Sequence, residues 1–157
     1  GTFLVETSFL LSTNAPKALQ LHRFLPNRAI RLMLDKKGND LAVKVKQGTL
    51  DSMLKNCKKD MALQLIKALK DEVENILVKG ETLANEQAQV LKQAAKNKLV
   101  EHRQHELDRL TALQRVNPAI RDEEIEFLQQ QLTQSVEQLD AAAVSLDAIR
   151  LIVVTQG

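Results

Sequence analysis

Three histidines, one cysteine and a run of carboxylates are the side chains of this 157-residue sequence most able to do chemistry. His102 and His105 are three apart, a helical spacing that can chelate a metal, with Glu101 and Glu106 beside them. A zinc site needs three or four converging ligands, and no third ligand stands at a zincin-like spacing. A solvated charged helix face accounts for the pair better. Asp122-Glu123-Glu124 with Glu126 could pair carboxylates, but acids at a helix start are explained by the helix dipole. No calcium loop with its glycine surrounds them. Gly38, Gly48 and Gly80 are isolated, so no glycine-rich loop cradles a phosphate. Ser8, Ser12, Ser52, Ser135 and Ser145 lack the context of a nucleophile elbow. Cys57 falls on an apolar helical stripe and reads as a packing residue. Nothing joins a nucleophile, a base and an orienting group, so the residues predict neither catalysis, nor a bound metal, nor a cofactor.

Basic residues carry more of a signal. Residues 1–70 hold 13 Lys and Arg against 5 Asp and Glu, and residues 71–157 hold 9 against 15. The net charge of +2 therefore conceals a basic first half and an acidic second half. Lys36 and Lys37 lie in a polar loop, Lys44 and Lys46 on one face of an apolar run, and Lys55, Lys58 and Lys59 close together beyond it. Converging, these seven would make a candidate contact patch for phosphates or for an acidic protein surface. The alternative is an ordinary solvated basic face. With four Phe and neither Trp nor Tyr, the chain is not a binder that stacks bases on exposed rings.

The elements that must position these residues follow from periodicity. Residues 2–12 alternate in period two and predict a strand with one apolar face. Apolar runs at 29–34 and 41–46, joined by a short loop containing Gly38, predict a hairpin. From residue 49 the period becomes helical, with Gly80 placed to close the helix over 49–79. A thin apolar stripe predicts a polar helix over 81–116, broken by Asn117-Pro118. A third helix, over 121–146, steps Ile125, Leu128, Leu132, Val136, Leu139, Ala143 and Leu146, a mean of about 3.5 residues. Residues 148–155 are β-branched and apolar, which predicts a strand buried on both faces or central in a sheet. The expected architecture is α+β in one domain. A small, mostly antiparallel sheet unites the N-terminal strands with the C-terminal one, and the last two helices pair as an antiparallel coiled-coil arm. No apolar run reaches the ~20 residues that span a bilayer, and nothing at the start marks secretion. The lone cysteine excludes an internal disulfide and fits a reducing cytosol. Without an initiator Met, and opening on strand-like sequence, the chain reads as a piece of a longer protein.

Particular stretches resemble a known family. Leu107-Asp-Arg-Leu-Thr-Ala-Leu-Gln-Arg-Val-Asn-Pro-Ala-Ile-Arg-Asp-Glu-Glu124 and Leu146-Asp-Ala-Ile-Arg-Leu-Ile-Val-Val-Thr-Gln156 are similar to the extreme C-terminus of the RapA-like family. So, in the same order, are Leu21-His-Arg-Phe-Leu-Pro26 and Arg31-Leu-Met-Leu-Asp-Lys-Lys-Gly-Asn-Asp-Leu-Ala42. These are bacterial RNA polymerase-associated ATPases of the SWI/SNF helicase-like superfamily. Between residues 47 and 100 mainly the helical pattern matches. The resemblance implies a cytoplasmic bacterial parent that binds core RNA polymerase and promotes its recycling in transcription, using ATP and magnesium in an upstream helicase-like motor. No motor motif has a matching position here, so no catalytic residue carries over. The implied role is a non-catalytic structural and interaction module. Its partners would be the motor domains, the polymerase through the parent, and nucleic acid at the basic patch, with no membrane. The other reading is a coiled-coil dimerisation module that touches neither polymerase nor nucleic acid.

Overall fold

The computed structural model describes residues 2–155. Three strands form one antiparallel sheet in the order β2-β1-β3. They are β1 (Thr2–Ser12), β2 (Arg28–Leu34) and β3 (Ala143–Val154). Around them are α1 (Gln47–Met53), α2 (Lys59–Gln114) and α3 (Asp122–Asp140), with two short 3-10 turns at Lys17–Leu19 and Leu21–Arg23. The expected α+β class, with strands from both ends of the chain in one sheet, is observed.

The chain divides into two compact units. The first holds β1 as far as Leu10, residues 29–86, and β3 from Ser145 onward. β1 alternates as its sequence demands, burying Phe3, Val5, Thr7, Phe9 and Leu11 on one face. β2 buries Leu32, Met33 and Leu34 in succession, which requires cover on both sides of the sheet. On one side α2 approaches at Gly80, where an added Cβ would stand 2.8 Å from Leu34 Cδ1 and 3.9 Å from both Leu32 Cδ1 and Phe9 Cε2. On the other side Met33, Leu50 and Ile152 form a cluster, with Leu4, Leu41, Ala42, Val45 and Leu54 packed against it.

This two-sided cover explains where the structure departs from the periodicity. The helix expected over 49–79 is broken, because Leu50 and Leu54 pack on the Met33 side whereas α2 covers the Leu32 and Leu34 side. The chain must pass from one face to the other, and Leu54 turns extended (φ −77°, ψ 141°) to begin the crossing. Cys57 lies in that crossing and is exposed, not packed. Gly80 does not end a helix: α2 continues through it to Gln114. The glycine serves instead to let the helix come close to the sheet.

The strand expected at 41–46 does not form. Asp40 pairs with Leu34 in a single isolated bridge, and its Oδ1 accepts from the N–H groups of Met33 and Ala42, both at 3.0 Å. That carboxylate occupies a donor that a longer ladder would have used. The chain then curls, with Lys44 N and Val45 N both donating to Leu41 O. Leu41, Ala42 and Val45 meet the Met33 cluster from a turn.

The second unit holds Leu11–Arg28 and Gln87–Val144. Its core is Leu19, Leu21 and Leu99, with Ala15, Phe24, Leu132 and Val136 against them. Ala88, Ala95, Leu99 and Leu107 are the buried residues of this part of α2, whereas Val90 and Leu113 are exposed. Hydrogen bonds fix the course of α3 beside α2. Gln114 Nε2 donates to Asp122 Oδ1 at 2.7 Å near the start of α3, and Lys92 Nζ donates to Asp140 O and Ala142 O, at 2.7 and 2.8 Å, at its end. A cation on the last carbonyls of a helix is favoured by the dipole. Helix α3 stops at Asp140, not at 146, and β3 begins at Ala143. Ala143 and Leu146 therefore belong to the strand that pairs with β1.

Two glycines give opposed expectations. Gly80→Val should destabilise the fold by about 1–3 kcal/mol through overpacking. Gly48 sits in α1 with nothing near its missing Cβ, so Gly48→Ala should be neutral or stabilise by up to about 1 kcal/mol. Urea unfolding of the two variants measures both.

Candidate interaction surface

Glu6 of β1 projects between Arg31 of β2 and Arg150 of β3. Arg31 Nε lies 2.8 Å from Glu6 Oε2, and Arg150 NH2 lies 2.7 Å from Glu6 Oε1. Arg150 NH2 also reaches Asp51 Oδ1 of α1 at 3.0 Å. Arg31 NH1 donates to Ala42 O at 3.4 Å, a long bond. The hydrogen bond from Arg150 to Asp51, and then its pairing with Glu6, hold the guanidinium above its ordinary pKa. One carboxylate thus links all three strands, and its two arginines reach α1 and the 41–46 turn. Those two segments carry Lys44 and Lys46 and lead into Lys55.

Among the lysines, Lys36 and Lys37 occupy the turn after β2. Asp35 Oδ1 accepts from Lys37 N and Asn39 N, both at 2.9 Å, and Gly38 takes φ 82°. Lys36 Nζ stands 5.4 Å from the centroid of the Phe3 ring. Lys79 of α2 joins them, with Nζ donating to Lys37 O at 3.2 Å, and charge by itself did not single it out. Lys44 lies in the next turn, Lys46 is the N-cap of α1, Lys55 follows Leu54, Lys58 precedes α2 and Lys59 opens it. All seven are exposed. Lys36, Lys37 and Lys79 gather at one turn. Lys44, Lys46 and Lys55 are carried by segments packed on the Met33 cluster.

The histidines make no pair. His102 Nε2 lies 3.6 Å from Glu106 Oε1 and 3.5 Å from Arg23 NH2, and its ring centroid is 5.7 Å from that of Phe24. His105 is exposed. Arg23 and Arg103 flank the Phe24 ring at 5.7 and 5.9 Å, and Arg103 NH2 donates to Leu19 O at 3.1 Å. Sequence reasoning did not find this group, because its two halves lie about eighty residues apart. Among the described residues no three of His, Cys, Asp or Glu come together as metal ligands. No described helix is long and apolar enough to cross a membrane.

A family model described as the RNA polymerase recycling family C-terminal matches residues 1–154. The chain belongs to that family. It is 40% identical over 153 residues to the RNA polymerase-associated protein RapA of Haemophilus influenzae (strain PittEE). That similarity covers 98% of this chain and 17% of the relative, so the chain spans about a sixth of the relative's length. The α+β sheet with its Glu6 clamp is thus a structure of the C-terminal part of an RNA polymerase recycling family protein.

Two expectations follow from these contacts. The Glu6 side chain is 13% exposed and Arg150 is 39% exposed. Glu6→Ala, which takes the carboxylate from Arg31 and leaves Arg150 with Asp51 alone, should therefore cost about 3 kcal/mol. Arg150→Met should cost about 1 kcal/mol or less. Chemical denaturation of each variant checks the ranking. The backbone N–H of Asn39, followed by its side chain and the N–H of Lys37, holds Asp35 below the usual carboxylate range. A carboxylate depressed in the folded state adds stability above its unfolded pKa and loses it as pH falls through the folded one. Asp35→Asn should remove that increment, so the variant should lose less stability than the native chain between about pH 5 and 3. Thermal unfolding across that range reads the difference.

Proposed function

We propose that this chain is a single non-catalytic module of an ATP-dependent, RNA polymerase-associated protein that promotes polymerase recycling in the bacterial cytoplasm. On this reading ATP and magnesium are used by a motor that lies outside these residues. The module supports that motor and offers its basic face to polymerase or to nucleic acid. The observation that carries the proposal is the exposure of all seven lysines, with Lys36 and Lys37 on the turn after β2 and Lys44, Lys46 and Lys55 on segments packed against the clamped sheet. They lie in the half of the sequence with 13 basic residues against 5 acidic ones. Such a field draws in acidic partners and weakens with salt. The printed name of the Haemophilus relative, RNA polymerase-associated protein, supports the choice of partner.

We further propose that α3 and the second half of α2 form an antiparallel coiled-coil arm within one chain. Leu99 of α2 meets Leu132 and Val136 of α3, and the heptad-like steps of α3 suit such a seam. That favours pairing inside the chain over dimerisation through these helices.

Gel filtration with core RNA polymerase at two salt concentrations tests the main proposal. Co-elution should occur at low salt and fade at high salt. Charge reversal of Lys55, Lys58 and Lys59 to Glu should weaken it at least tenfold. Binding that survives both changes would remove the basic face from the mechanism.

A further inference from the structure

His102 stands between two partners whose demands on it conflict. Its Nε2 lies 3.5 Å from Arg23 NH2 and 3.6 Å from Glu106 Oε1. A guanidinium only donates, so Arg23 requires a lone pair on that nitrogen, whereas a carboxylate only accepts and requires an N–H. One nitrogen cannot meet both demands in one protonation state. Neutral imidazole with its proton on Nδ1 serves Arg23. Imidazolium serves Glu106 and meets Arg23 as a second cation. The two partners belong to different elements, since Glu106 is on α2 with His102 but Arg23 ends the 3-10 turn Leu21–Arg23. The proton on His102 therefore decides whether it ties that turn to α2 or only braces its own helix. Neighbouring charges leave the conflict in place. Arg103 NH1, 3.3 Å from Glu106 Oε2, shares the same carboxylate. Lys98, Glu101 and His105 are exposed within about one turn of α2, and His22 is exposed on the 3-10 turn. Helix α3 packs on this core with Leu132 and Val136, which carry no charge.

We propose that His102 is a proton-controlled latch on the turn that carries Arg23 and Phe24, closed while the imidazole is neutral and open once it is protonated. The residue before the turn is built to move. Gln20 has φ 53° and ψ 38°, the one non-glycine residue with a positive φ among the described residues. A Cβ makes that left-handed conformation costly, so it persists only where the surrounding contacts hold it. One such contact joins it to the latch, because Gln20 Oε1 accepts from Arg23 NH1 at 3.3 Å. Opening stays local. Leu19 and Leu21 are buried against Leu99, and Arg103 NH2 holds Leu19 O at 3.1 Å, whichever partner His102 takes. Glu106, on the same helix, is beside His102 with the turn docked or free, whereas Arg23 opposes imidazolium only while the turn is docked. Protons therefore bind more readily with the turn released, and falling pH favours release.

Hydrogen exchange in the full-length protein, resolved to single amides over residues 17–25, tests the proposal between about pH 8 and 5, the range in which an imidazole changes charge. Arg23 N and Phe24 N donate to Gln20 O and Leu21 O. Relative to the unstructured rate at each pH, their protection should fall at least about fivefold as the pH is lowered. Leu19 N, which donates to Pro16 O, should keep its protection. His102→Gln offers an amide oxygen to Arg23 and an amide N–H to Glu106 at once, and should keep the turn closed across the whole range. Glu106→Gln should retain the response with its midpoint at lower pH, because imidazolium loses its acceptor. Protection of Arg23 and Phe24 that is independent of pH in the native protein would overturn the proposal. A response that survives in His102→Gln would overturn it as well, by assigning the proton to His22, His105 or another group. An equal loss at Leu19 would do the same, since it marks general unfolding and not the release of one turn.

Discussion

Glu6 is the constraint on which the rest of the first unit depends. It sits on the central strand, 13% exposed, and its two oxygens are divided between an arginine from each neighbouring strand. A carboxylate in that position is costly to bury alone, and removing it leaves the Arg31 guanidinium, 22% exposed, without its charge partner. The pairing therefore specifies which strands flank β1 and in what alignment, more than it adds to net stability. Arg150 extends the same linkage to Asp51 and so places α1 on one face of the sheet. That leaves the other face for α2, which approaches closely only because residue 80 has no side chain.

From this order come the positions of the lysines. The turn after β2 is closed by Asp35 and Gly38. The next turn is fixed by Asp40, whose carboxylate ends the ladder. The lysines in both turns and around α1 are exposed, and the two turns are closed by carboxylate hydrogen bonds. The second unit is built differently. Its core is small, and direct bonds such as those from Lys92 and Gln114 hold α3 along α2.

Legibility in the sequence varied with the range of the interactions involved. The alternation of Phe3, Val5, Phe9 and Leu11 requires only neighbours two apart, and it is observed as read. The helical stripe from Leu65 to Leu77 and the break at Asn117-Pro118 are local in the same sense. The hairpin was legible as far as its turn, but Asp40 competes for the Met33 N–H, and composition alone does not rank that competitor above a ladder. Gly80 has the same letter whether it ends a helix or allows a close approach; only the position of Leu34 distinguishes the two. The lysines were legible as a set, whereas their grouping about two different turns, with Lys79 added to one, was not.

The sequence by itself determined the α+β class, the use of both chain ends in one sheet, the polar character of the later helices and the family likeness. Each is written in periods of two or three to four residues, or in contiguous motifs. Tertiary structure decided which face α1 and α2 cover, where the first helix must break, and that β3 lies at an edge. Those outcomes depend on contacts such as Glu6 with Arg150, 144 residues apart, whose partners no local pattern names. An apolar strand states that it should be buried, and only the assembled sheet shows which of its sides still lacks a neighbour.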